Sequence, residues 1–162
     1  MLAPLQRTPA QTSYAHLLRA FGLIQRVMRP YFQQHGLSQA QWGILRALHC
    51  AQEQGQPNGL RMGELGQRLL VQPPSVTTLV RRLVKSGLVA QTAAPNDRRG
   101  FVLRLTPKGE SLVGRVLLAH QEQIRSVMGG LNDDELPAFV LHLERLNTHL
   151  AALAAKTPDT LD

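Results

Sequence analysis

Residues 72–100 read QPPSVTTLVRRLVKSGLVAQTAAPNDRRG, and the fold follows from how this stretch is read. Val76, Leu79, Val80 and Leu83 recur at i, i+3, i+4 and i+7, which predicts a short helix with one apolar stripe turned to a core. Gln72 precedes it as the cap, and Pro73 takes the first helical position, where a missing N–H costs nothing. Ser75, Thr77, Thr78, Arg81, Arg82 and Lys85 fall outside the stripe. Small hydroxyls near the helix start and cationic groups further along suit base edges and phosphates together. Gly87 ends the helix. Two apolar runs follow, LVAQT and FVLRL, joined by a turn that carries Pro95, Asn96, Asp97, Arg98, Arg99 and Gly100.

A helix followed by a hairpin with a basic tip is the pattern of a winged helix-turn-helix, in which the helix enters a major groove and the wing lies along a neighbouring groove. Working outward, Met62–Leu70 is the expected supporting helix, and Leu60 with Arg61 a short edge strand on the wing sheet. Ser38 with Gln41 reads as a capping box opening a helix through Trp42, Leu45 and Leu48 or His49, and Gly36 caps the helix before it. That first helix is expected from Ser13 to about Gln34 along Leu17, Phe21, Ile24 and Met28, with Pro30 kinking or ending it. The first dozen residues, with two prolines, read as a loose arm. Downstream, Thr106 and Pro107 start a long helix that Gly129 and Gly130 break. Asn132 with Glu135 forms another capping box before a last helix, where Phe139, Leu143, Leu146, Leu150 and Leu153 make a heptad seam. The expected fold is mainly α with a small β-hairpin wing. An N-terminal arm and dimerisation helix (1–36), a winged helix-turn-helix (37–106) and C-terminal dimerisation helices (107–162) make up the chain.

The length of 162 residues suits one domain with elaborations. One cysteine excludes a disulfide framework and multi-cysteine zinc patterns. The absence of a signal-like N-terminus and of a membrane-length apolar run gives the expectation of a cytoplasmic protein. Charge is unevenly placed: from Arg61 to Lys108 there are nine cations and two acids, whereas residues 109–162 have four cations and eight acids. The middle of the chain is therefore the surface expected to face a polyanion.

Taken together, V-T-x-L-V-x-R-L, then G-L-V, then N-D-R-R-G, then L-T-x-x-G resembles the winged-helix core of the MarR family of bacterial transcriptional regulators. The resemblance is densest from Gly63 to Leu112. It implies a homodimer that binds a pseudo-palindromic operator on double-stranded DNA, usually represses, and is often released by a small aromatic or phenolic ligand. Carried over by position, it puts Ser75, Thr77, Thr78 and Arg81 at the major groove and Arg82 and Lys85 near phosphates, with Gln72, Pro73 and Pro74 at the helix entry. Asp97 and Arg99 match the wing motif, the arginine entering the minor groove, and Arg98 is the variable position between them. The sequence departs from the pattern at Gln72, where a capping serine is usual, in the Pro73-Pro74 pair, and at Gln91 and Thr92, where a basic residue is common.

Other readings weigh less. Cys50 invites comparison with peroxide-sensing members of the family, but a lone cysteine late in an apolar helix is commonly core. His142 and His149 lie two turns apart, too far to share a metal ion, and no metal or other cofactor is expected. Tyr31, Phe32, Trp42 and His49, with Arg19 or Arg46 to pair a carboxylate, are the candidate effector residues. No phosphate loop, nucleophile elbow or HExxH pattern occurs, so no enzymatic activity is expected. A winged helix that binds protein instead of DNA is the remaining alternative, and the arginine-bearing wing argues against it.

Overall fold

The computed structural model describes residues 7–56, 58–69, 73–94 and 97–156, with side chains at all of these except 73–75 and 97–99. Gln72 thus lies outside the described residues, as do Pro95 and Asn96. Six helices and three strands follow in the order α1 (Pro9–Gln34), α2 (Gln39–Glu53), β1 (Leu60–Arg61), α3 (Met62–Leu69), α4 (Pro73–Lys85), β2 (Val89–Ala94), β3 (Asp97–Leu105), α5 (Pro107–Met128) and α6 (Glu135–Ala154). The chain forms two compact units, one up to Gln123 and one from Ile124 onward.

Local chemistry sets most helix ends. Ser38 accepts from the Gln41 N–H at 3.2 Å while the Gln41 side chain accepts from the Ser38 N–H at 2.9 Å, the reciprocal box that begins α2. The same device at Thr8 and Gln11 begins α1 four residues before the sequence pattern suggested. Pro9 therefore sits in the first turn, where proline is favoured, and residues 9–12 are helix, not arm. Pro30 does not end α1, which continues to Gln34 with the exposed pyrrolidine on its outer side. Before α6, Asn132 and Glu135 exchange the expected pair of hydrogen bonds, each at 2.9 Å.

In the first unit the sheet has the order β1-β3-β2, antiparallel throughout. The β2–β3 register runs from Val89 opposite Leu105 to Thr92 opposite Val102, with an irregularity at Ala93 and Ala94. Leu60 opposite Leu103 adds the expected edge strand. The core gathers Ile44, Leu45 and Leu48 of α2, Leu65 of α3, Val76, Val80 and Leu83 of α4, Leu60 and Leu103 of the sheet, and Val113 and Val116 of α5, each no more than 2% exposed. Each such side chain contributes about 1.5–3 kcal/mol of burial. Tyr31, Phe32 and Trp42 complete this core from α1 and α2.

Helices α1 and α6 contrast with that core. Leu17, Phe21 and Ile24 on α1 are 38–59% exposed, and Leu146, Leu150 and Leu153 on α6 are 37–48% exposed. No residue of α6 is buried, although its apolar residues repeat as a heptad seam.

Candidate nucleic-acid interface

The apolar stripe of α4 decides where its polar residues point. With Val76, Val80 and Leu83 buried, Thr77, Thr78, Arg81, Arg82 and Lys85 are all exposed on the outward side. Arg81, Arg82 and Lys85 form no ion pair among the described residues. Pro73, Pro74 and Ser75 form the first turn of the same helix. Asp97, Arg98 and Arg99 are the first residues of β3, at the far end of the hairpin from its base at Val89 and Leu105. Gln91 and Thr92, which replace the usual cations, are exposed on β2.

Local contacts close the α3–α4 pair at its two ends. Glu64, one of the two acids in the basic block, accepts from the Arg61 N–H at 2.7 Å and so caps the start of α3 instead of opposing the surface charge. At the other end α4 closes with Gly87 at φ 71°, whose N–H donates to the Val84 carbonyl at 2.9 Å, while Leu88 N–H returns to Leu83 at 3.0 Å. The first turn of α5 is attached to this closure. Thr106 Oγ1 donates to the Gly87 carbonyl at 2.6 Å and accepts from the Gly109 N–H at 3.0 Å, and Lys108 Nζ donates to the Ser86 carbonyl at 2.9 Å. A Cβ on Gly109 would lie 2.1 Å from the Leu88 carbonyl oxygen, so the approach requires glycine.

The six candidate effector residues do not line one pocket. Arg19 is exposed on α1, about 18 Å along the helix axis from Tyr31 at 1.5 Å per residue. Tyr31 and Trp42 are core residues. The Tyr31 hydroxyl donates to the Val116 carbonyl of α5 at 2.9 Å, and burial raises its pKa. Arg46 and His49 are half-buried on α2 and both reach Glu53, at 3.5 and 3.4 Å. The aromatic residues pack around His120 of α5, which lies 5.6 Å from Tyr31, 5.8 Å from Phe32 and 5.2 Å from Trp42, centroid to centroid. Cys50 is a half-buried free thiol, and no cluster of three or more His, Cys, Asp or Glu suited to a metal ion occurs among the described residues.

A cleft lies elsewhere. Gln25, Arg29 and Gln33 of α1, Ser38, Gln39, Ala40 and Gly43 at the start of α2, Leu69 of α3 and Val76 and Leu79 of α4 line a space of about 760 Å3. The four-residue steps from Gln25 to Arg29 to Gln33 put these polar groups in one row on α1, a signal present in the sequence but masked by the apolar stripe beside it.

The geometry agrees with the comparisons to known proteins. The MarR family model matches residues 35–100, which span α2 to the tip of the wing. The transcriptional regulator FarR of Neisseria gonorrhoeae is 30% identical over 128 residues, covering 75% of this chain and 84% of FarR. The chain belongs to the MarR family. This MarR-family regulator is also 28% identical over 128 residues to the homoprotocatechuate degradative operon repressor of Escherichia coli, covering 79% of this chain and 82% of that repressor. Bordetella bronchiseptica BpsR, whose structure was solved to explain how 6-hydroxynicotinic acid regulates its DNA binding, superimposes with a TM-score of 0.72 at 26% identity, covering 83% of this chain and 98% of BpsR. The fold is the winged helix of these regulators, mostly helical with a three-stranded antiparallel sheet.

Proposed function

We propose that this regulator is a cytoplasmic homodimeric repressor that binds a pseudo-palindromic operator through α4 and the wing, has no catalytic role, and is released by a small aromatic acid or phenol. The observation that carries the reading is the division of α4, with every described stripe residue but Leu79 fully buried and Thr77, Thr78, Arg81, Arg82 and Lys85 all outward. In this reading Thr77, Thr78, Arg81 and Ser75 read base edges, Arg82 and Lys85 hold phosphates, and Arg99 enters the minor groove beside Asp97. The uncovered apolar faces of α1 and α6 support a second copy as the dimer partner, since a two-fold axis would pair identical stripes.

The cleft beneath α4 supports the ligand. An occupant there touches Val76 and Leu79 on the inner side of α4, and Arg29 gives it a cation for a carboxylate. Any ligand that fits only one spacing of the two recognition helices shifts the dimer to that spacing and changes affinity for DNA. Selection of bound duplexes from a random pool is the test. A two-fold repeat with half-sites about 10 bp apart is the expected result. Recovery of no preferred sequence, with binding insensitive to Arg81→Ala and Arg99→Ala, would overturn it.

A further inference from the structure

The His120 ring is held in an unusual place for a titratable group. It stacks at 28° on Tyr31 from α1, meets Trp42 from α2 edge-on at 65°, and its Nδ1 is buried with no hydrogen-bond partner. A neutral imidazole tolerates this, with a bare lone pair on Nδ1 and its proton on Nε2. An imidazolium is disfavoured, because the half-buried ring would carry a second N–H at Nδ1 that is shielded from water and has no acceptor. The neighbouring charges add to the effect. From α2, Arg46 faces the ring and repels a second cation, while its own counter-ion Glu53 is shared with His49. From α1 the titratable groups are Tyr31, whose hydroxyl is committed to Val116, and His35, which lies against Tyr31 at 5.0 Å. Burial first, and Arg46 second, hold the His120 pKa below its usual 6.5.

His120 also occupies a mechanically informative position. It lies on α5, whose buried Val113 and Val116 fix the helix to the core and whose first turn is fastened to the end of α4 by Thr106, Lys108 and Gly109. We infer that His120 is an acid-sensitive catch: its protonation expels the ring from the Tyr31–Phe32–Trp42 box, loosens α5, and through the Thr106–Gly87 joint disturbs α4 and weakens DNA binding. The sign follows from the lowered pKa. Above pH 6.5 the site costs nothing, and as the pH falls below that value the unfolded or opened chain takes up a proton that the closed box refuses, so stability declines.

The DNA arm of this inference rests on the operator-binding reading, whereas the stability arm does not. The test compares wild type with His120→Phe, which keeps a ring in the box, and with His120→Gln as a second variant should the phenyl ring not be accommodated. Thermal unfolding is followed from pH 7.5 to 5.0, together with affinity for a duplex selected by the wild-type protein at pH 7.5. The catch predicts that wild-type Tm falls by several degrees more than that of either variant, and that its DNA affinity falls about threefold or more relative to theirs, for which a free-energy difference of about 0.65 kcal/mol suffices. Parallel Tm profiles would overturn the catch, and divergent Tm profiles with parallel affinity profiles would overturn its coupling to α4. Recovery of no preferred duplex by the wild-type protein at pH 7.5 would overturn the operator reading and leave the stability result to judge the box.

Discussion

Helices α4 and α6 present equally regular apolar stripes, yet they end in opposite situations. On α4, Val76, Val80 and Leu83 are at most 2% exposed, whereas on α6, Leu146, Leu150 and Leu153 are 37–48% exposed. A stripe therefore tells that a helix will be covered, not by what. For α4 the cover is the chain's own core, which turns the polar residues outward onto the surface proposed to face DNA. For α6 the cover is proposed to be a second copy, so its burial depends on concentration where that of α4 does not.

The strongest way to break this contrast is to charge the α6 seam. Leu146→Glu with Leu150→Glu alters four leucines in a two-fold dimer, each losing about 1.5–3 kcal/mol of burial. Light scattering after size exclusion is expected to show a monomer at micromolar concentration, with a helical circular dichroism spectrum retained; a persistent dimer would move the interface elsewhere. Next in size, Leu83→Ala leaves a cavity behind α4 and is expected to cost about 2–5 kcal/mol in denaturant unfolding. A loss below about 1 kcal/mol would mean that this core can collapse around the gap. A smaller effect is expected for Arg81→Ala, which removes about 1–3 kcal/mol of discrimination between selected and scrambled duplexes in competition binding. Lys85→Ala is the mildest. It should reduce the slope of log affinity against log salt by about one while leaving sequence preference unchanged.

The same contrast explains how much could be read from the chain. Ends set by adjacent residues were legible: Ser38 with Gln41, Asn132 with Glu135, Gly87, and Thr106 with Pro107 all act as their spacing indicated. Thr8 with Pro9 is the same cap-then-proline device, yet it was hidden by a flank that resembled an arm. The outward row on α4 was legible because one period fixes both faces of a helix. The aromatic box was not. Tyr31 and Val116 are 85 residues apart in sequence and meet only after the core assembles, so the sequence singled out Tyr31 and Trp42 as aromatic candidates but could not say that they pack on His120. The cleft escaped for a related reason, since it is bounded by four helices and no local pattern describes a space between them.

The Thr106–Gly87 hydrogen bond spans 19 residues and encloses both long strands of the wing. In folding, this makes the wing a short-loop event: closing a loop of about that length is fast and entropically cheap compared with bringing α1 to α5. For variation, it makes the wing replaceable. The segment between the two strands can change in length or charge at a cost that grows only slowly with length, while the clasp at its base keeps α4 and α5 in register. A hairpin proposed to contact DNA can therefore be remodelled without rebuilding the domain beneath it.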